Sequence, residues 1–208
     1  MKYLDICEIF YSLQGESSYM GRPCVFIRLA GCNLNCSYCD TVYSHAKGTK
    51  MSFEQILKSV SRYPVKLVEL TGGEPLIQEE STALMQTLLE SGYTVLLETN
   101  GTIYLDEVPL DVIKIVDIKC PGSGEGLSFQ FANLKLLAAH DEIKFVISNY
   151  PDYCFAREII EKYQLAGRIL HFSPVTELLP AELLAEWLLA DGLPVKLGLQ
   201  LHKLLNLR

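Results

Sequence analysis

The sequence is short of positive charge. Eighteen Lys and Arg stand against 25 Asp and Glu, giving a net charge of −7 and a pI of about 5.1. A broad duplex-binding surface needs clustered cations to displace the counterions of phosphate, so nucleic acid is not expected as a partner. Long apolar runs are missing as well. No stretch reaches the ~18 apolar residues of a membrane span, and Asp5 and Glu8 interrupt the N-terminal apolar stretch that a signal peptide would need. No membrane partner is expected, and the compartment is expected to be the cytoplasm. Paired cysteines are also scarce: Cys7, Cys24, Cys120 and Cys154 are scattered, and the total of seven is odd. That excludes a disulfide framework as the organising device, and in a reducing compartment clustered thiols signal metal or catalysis. Internal repeats and low-complexity tracts are lacking too.

What is present is a chain of 208 residues, 49% hydrophobic and 21% charged, enough to bury one sizeable core. Apolar runs of strand length alternate with amphipathic stretches. Strands are expected at 25–29, 66–70, 93–98, 112–119, 143–148, 168–172 and, briefly, 194–197. Helices are expected at 53–63, after a Ser52 N-cap, and at 79–91, 129–140, 153–164 and 181–190; residues 41–50 read as a loop. Most of the strands are nearly all apolar, as strands covered on both faces must be, which predicts a parallel sheet in an α/β fold. Polar and Gly-rich segments follow the strands, at 31–40, 71–75, 98–101, 119–126, 148–149 and 173–176. Active sites of barrel-type α/β folds sit at those strand ends. A complete eightfold barrel takes ~250 residues, so an incomplete one is expected.

The first such segment reads LAGCNLNCSYCDT and puts Cys32, Cys36 and Cys39 in a C-x3-C-x2-C array. A structural zinc site wants four ligands, and one of the scattered cysteines or His45 could supply the fourth. The alternative is a 4Fe–4S cluster on three thiolates, whose fourth iron stays open to an exogenous ligand. The array, with Tyr38 before its last Cys and after the first barrel strand, resembles the radical S-adenosylmethionine (SAM) enzymes. The segment Thr71-Gly72-Gly73-Glu74-Pro75 resembles that superfamily's GGE element, whose backbone and Glu bind the methionine amino group of SAM. Glycine there lets backbone approach a ligand closely. Further segments are similar to the 7-carboxy-7-deazaguanine synthase family: EIFYSLQGE (8–16), GRPCVFIRLAGCNLNCSYCDT (21–41), LETNGT (97–102) and LGLQLHKLL (197–205).

The resemblance implies a partial (β/α)6-type barrel, truncated and modified, as one radical-SAM core domain over 1–208. An N-terminal substrate-loop segment and a C-terminal extension flank it. It implies radical ring contraction of 6-carboxy-5,6,7,8-tetrahydropterin to 7-carboxy-7-deazaguanine with loss of ammonia, on the way to 7-deazapurines such as queuosine. A 4Fe–4S cluster, SAM that is regenerated each turnover, and Mg²⁺ come with it, as do a homodimer and an electron donor such as flavodoxin or ferredoxin. By residue, it implies Cys32, Cys36 and Cys39 on the cluster and Thr41 on Mg²⁺. Tyr38, Cys39, Asp40, Gly73, Glu74, Asp117, Lys119 and Ser173 fall around SAM. Leu13, Gln14, Gly15, Glu16, Arg28, Thr71 and His202 fall around the substrate.

The side-chain chemistry is compatible. Glu16 can accept from the guanidine-like edge of a pterin, and Arg28 can pair with its carboxylate. A charge inside an apolar strand is costly unless paired, so the plain alternative for Arg28 is a structural ion pair. Other plain alternatives are a surface turn at Gln14 and Gly15, a turn cap at Thr41, a core aromatic at Tyr38, a surface cap at Lys119 and a structural His202. The four scattered cysteines read as small buried hydrophobes, with no second cluster. Another radical-SAM class, an activase acting on a glycyl-radical enzyme, shares the cysteine array but gives no reason for QGE or the C-terminal QLHK.

Overall fold

The computed structural model describes residues 2–207. Among the described residues nine strands form one sheet: β1 (Tyr3–Leu13), β2 (Pro23–Leu29), β3 (Thr49–Ser52), β4 (Leu67–Gly72), β5 (Thr94–Thr99), β6 (Ile113–Asp117), β7 (Glu142–Ile147), β8 (Ile169–Pro174) and β9 (Lys196–Leu197). Their spatial order is β3-β1-β2-β4-β5-β6-β7-β8-β9. From β2 to β9 every neighbouring pair is parallel, whereas β1 runs antiparallel to both β2 and β3. The sheet curls, because β2, β4, β5, β6 and β7 all contribute side chains to one cavity. Its edge strands β3 and β9 do not pair with each other, so the result is a partial barrel.

Strand alternation divides the core in two. One set of residues, including Ile27, Leu70, Leu97, Val116 and Phe145, packs outward under α1 (Phe53–Val60), α2 (Glu80–Glu90), α3 (Tyr150–Lys162) and α4 (Ala181–Asp191). The other set, Phe10, Cys24, Phe26, Leu67, Leu96, Ile113 and Ile115, forms a separate apolar plug on the inner face. Two residues further along the same strands the inner face turns polar: Arg28 after Phe26, Glu69 after Leu67, Glu98 after Leu96, Asp117 after Ile115. The plug excludes water from below, and the polar layer above it floors the cavity.

Three expectations need correction. The sheet is not wholly parallel: β1 and β3, absent from the expected strands, join it with β1 antiparallel to both its neighbours. β1 does not alternate cleanly: its register shifts between Ile6 and Glu8, and its burial pattern is irregular. β3 is four mostly polar residues on an edge, inside and beyond the segment read as loop. The stretch 129–140 is not a helix but a 3-10 turn, Phe131–Lys135, within loops. The reason is Asn133, fully buried, whose amide donates to Gly101 O and Ile103 O while its carbonyl accepts from Leu105 N. Such side-chain bonds to backbone compete with helix. Finally, α3 begins at Tyr150 rather than at 153, because Asn149 caps it, accepting from Asp152 N at 3.0 Å, and Pro151 fits its first turn. A short C-terminal helix, α5 (Leu201–Leu205), follows β9. Among the described residues no helix is long and apolar enough to cross a membrane.

Candidate active site

The cavity opens at the C-terminal ends of the parallel strands, and the thiols of Cys32, Cys36 and Cys39 line it together. Their loop leaves β2 through Gly31, at φ +91°. It is fixed by Gly31 N donating to Ser44 O at 2.7 Å and Glu74 N donating to Gly31 O at 2.9 Å. The two glycines after β4 are required by this approach. A Cβ on Gly73 would lie 2.0 Å from Gly31 O and 2.7 Å from Cys32 Cβ, and one on Gly72 would lie 2.4 Å from Leu29 O. Burial pushes the Cys32 and Cys36 thiols up from their ordinary values, with Lys119 pulling in the other direction. Binding iron would displace those protons.

The donor set fits a cluster. All three thiols are free and partly exposed, whereas Cys7, Cys24, Cys120 and Cys154 lie outside the cavity lining. Among the described residues, no three His, Cys, Asp or Glu converge as ligands of a single ion would; thiolates of a cluster bind separate irons and need not converge so closely. The cavity also fits a polar ligand, because Asp117 Oδ1 is buried there with no hydrogen-bond partner among the described residues. Such an acceptor is costly unless a ligand or water satisfies it.

Of the residues expected around SAM, Tyr38, Asp40, Gly73, Asp117 and Lys119 line this cavity beside Cys39. Tyr38 donates to Val146 O at 3.2 Å, tying the cluster loop to β7, and burial raises its phenol. Burial alone would lower the Lys119 ammonium, but Asp117, at 2.8 Å, outweighs it and holds the charge. Two residues do not reach the cavity. Glu74 is fully buried behind it, accepting from Leu76 N (3.0 Å), Thr99 Oγ1 (2.8 Å) and Asn100 N (2.7 Å). Burial raises its carboxyl to about 7 against those three bonds. The backbone of the Gly-Gly element faces the cavity, and Glu74 braces it against β5. Ser173 points inward from β8 but is covered by Gly198, where an added Cβ would lie 2.4 Å from Ser173 Oγ.

Leu13, Gln14, Gly15, Glu16, Arg28, Thr71 and His202, the residues expected around the substrate, all line the cavity. The register pairs Arg28 with Thr71 on adjacent strands. Arg28 Nε also donates to Glu8 Oε1 at 2.9 Å, which Tyr43 OH bonds at 2.9 Å, so the structural ion pair foreseen as an alternative exists at the cavity wall. Gln14 is a scaffold: its amide donates to Glu69 and accepts from Glu16 N at 3.0 Å. The C-terminal segment closes over this loop. Leu201 N donates to Gly15 O at 2.9 Å, Gln200 donates to Glu16 Oε1 at 2.8 Å, and His202 packs so tightly on Gly15 that a Cβ there would lie 2.2 Å from its Nδ1. Thr41 begins the 3-10 turn Val42–His45, yet its hydroxyl makes no capping bond and lies 3.7 Å from Cys39 Sγ.

Sequence reasoning missed the centre of the floor. Lys144 Nζ bonds Glu16 at 2.7 Å, contacts Glu98 and lies 3.7 Å from Asp117. Burial would raise the Glu16 carboxyl, but Lys144, Gln200 and His202 together hold it down to about 2. Glu69 and Glu98 go the other way, pushed up by burial, with neighbouring carboxylates adding to the push. A charged residue inside an otherwise apolar strand is the signal that could have found Glu69, Glu98 and Lys144, as it found Arg28.

Comparison with known proteins follows the same lines. A profile of the Radical SAM superfamily matches residues 26–117. A 7-carboxy-7-deazaguanine synthase of Koribacter versatilis is 50% identical over 216 residues, covering 96% of each chain. One from Chlorobaculum tepidum is 44% identical, covering 96% of this chain and 93% of that one. The crystal structure of QueE from Escherichia coli superposes with a TM-score of 0.79 over 96% of this chain and 95% of that one. At 24% sequence identity, that last likeness is one of fold.

Proposed function

This chain belongs to the 7-carboxy-7-deazaguanine synthase family of radical SAM enzymes, and we propose that it forms 7-carboxy-7-deazaguanine from 6-carboxy-5,6,7,8-tetrahydropterin with loss of ammonia. The observation that carries this reading is the meeting, in one cavity, of the three-thiol loop, the Gly-Gly backbone and a charged substrate wall of Arg28, Glu16 and His202. When bound, the cluster and SAM supply one-electron cleavage of SAM and a radical that takes hydrogen from the substrate.

The chain's own residues bind and orient. Cys32, Cys36 and Cys39 hold the cluster. Gly73 backbone, Tyr38 and Asp40 would flank SAM, and Asp117 Oδ1, without a partner among the described residues, would be an acceptor for it. Arg28 takes the pterin carboxylate, and Glu16, kept ionised by Lys144, accepts from the guanidine-like edge. The apolar plug closes the cavity from beneath, and the 200–203 segment packs over the Gly15–Glu16 loop at its wall. A concave floor set with Arg28, Glu16 and Lys144 favours a small charged molecule over the protein substrate of an activase. Thr41, with its uncapped hydroxyl, is the Mg²⁺ ligand in this reading, since hard cations prefer oxygen. A homodimer, a flavodoxin- or ferredoxin-type electron donor and a reducing cytoplasm complete it. The test is anaerobic incubation of the iron-loaded chain with SAM, reductant and the carboxytetrahydropterin. Appearance of the deazapurine is expected. SAM cleavage without any deazapurine would refute the substrate assignment.

A further inference from the structure

We propose that Asp152, on α3 and outside the cavity, is a positioning residue for the cluster loop: it holds the turn against which the 35–39 part of that loop is set. The inference rests on the cluster reading above but not on the identity of the substrate.

Asp152 is fully buried, and its two oxygens serve two different segments. Oδ2 accepts from Ser148 N at 3.0 Å and from Ser148 Oγ at 2.5 Å, at the entry to its own helix. Oδ1 reaches across to a loop thirty residues away and accepts from Gly122 N at 2.7 Å. Helix capping does not account for this second bond, because Asn149 already caps α3 by accepting from Asp152 N. Gly122 is glycine for the same contact: a Cβ there would lie 2.2 Å from Ser148 Oγ and 2.5 Å from Asp152 Oδ2.

The turn so anchored is rigid in itself. Ser123 bonds Cys120 O through both its N–H (3.0 Å) and its hydroxyl (2.6 Å), and Gly124 closes the turn at φ +82°. Its outer edge then meets the cluster loop at three points. Gly122 O accepts from Ser37 Oγ at 2.8 Å, Ser123 O accepts from Ser37 N at 2.9 Å, and Glu125 Oε1 accepts from Asn35 N at 2.9 Å. These contacts bracket Cys36 and end two residues before Cys39. The loop is otherwise half-buried to exposed and lacks regular structure; beside the Tyr38 bond to Val146 O, this docking is what holds its 35–37 part around Cys36 and ahead of Cys39. Support of this kind around a metal site orients the ligands themselves.

The test uses the full chain, reconstituted anaerobically, in four variants beside the unmodified protein. Iron and sulfide content, the rate of bleaching by a chelator, and the EPR spectrum of the reduced cluster before and after SAM are read together with the melting temperature. Asp152→Ala is expected to bleach at least fivefold faster and to show an altered SAM-dependent spectrum. Asp152→Asn keeps one acceptor oxygen and is expected to recover part of both. Ser37→Ala removes one exposed contact on the far side of the turn and should bleach faster by a smaller factor. Asp141→Asn is the control: Asp141 is equally buried, paired with Lys114 at 3.1 Å at the opposite end of the sheet. It should lower the melting temperature with the unmodified spectrum and bleaching rate. The proposal is overturned if bleaching follows melting temperature alike in the Asp152 and Asp141 variants. It is also overturned if Ser37→Ala bleaches at the unmodified rate. An unmodified chain that takes up no iron overturns the cluster reading itself.

Discussion

Removing the Lys144 ammonium should be the most damaging single change at the floor of the cavity. Lys144→Met keeps length and apolar volume but leaves the half-buried Glu16 and Glu98 without their cation, while Asp117 keeps Lys119. Breaking a buried ion pair from one side costs roughly 3–5 kcal/mol. The carboxyl of Glu16 gives a separate measure. Its descent from 4.5 to about 2 corresponds to about 3 kcal/mol. Its pKa is depressed on folding, so this stability is present above pH 4.5 and is lost as the pH falls towards 2. For a chain of this size a loss of ~3 kcal/mol lowers the melting temperature by roughly 6–12 °C. Thermal denaturation of the metal-free protein at pH 7 reads the loss directly. The double variant Lys144→Met with Glu16→Gln removes one stranded charge and should regain about half. A single variant melting within 2 °C of the unmodified chain, or a double variant no better than the single one, would refute the account of the floor as a cation-held carboxylate cluster.

Three further outcomes are expected. Cys32→Ala, Cys36→Ala and Cys39→Ala should each lose the cluster, while Ser at Cys7, Cys24, Cys120 or Cys154 should leave about four irons per chain; iron analysis after reconstitution distinguishes them. Omitting Mg²⁺ should slow product formation by the unmodified chain, and Thr41→Val should abolish that dependence; equal unmodified rates with and without Mg²⁺ would sink the role of Thr41. Burial lifts the Glu74 carboxyl to about 7, so the stability contributed by its neutral form is full below pH 4.5 and is lost as the pH rises to 7. Glu74→Gln cannot ionise, so between pH 4 and pH 8 the unmodified chain should lose about 3 kcal/mol relative to the variant; a constant difference in melting temperature across that range would contradict the assignment.

The chain by itself determined whatever depends on near neighbours. The spacing of Cys32, Cys36 and Cys39 is a local property, and so is the Gly72-Gly73 pair that lets backbone pass close to the cluster loop. The parallel strands from β2 to β8 were legible because strands buried on both faces must be nearly all apolar. β1, β3 and the 3-10 turn at Phe131–Lys135 were not. Their conformations are set by an edge, a register shift and the long-range bonds of Asn133, none of which leaves a periodic trace. Only the tertiary structure decided the floor. Lys144 meets Glu98 across 46 residues because strand register brings β5, β6 and β7 to one level of a curled sheet, and it meets Glu16 across 128 residues because the loop after β1 folds over that level. Only the tertiary structure, too, turned Glu74 away from the cavity and covered Ser173, since which face a side chain shows, and what lies over it, depends on segments far away in the chain. Local spacing selects the ligands a site can use. Burial and register determine which charges must find partners, and so which of them remain for a substrate.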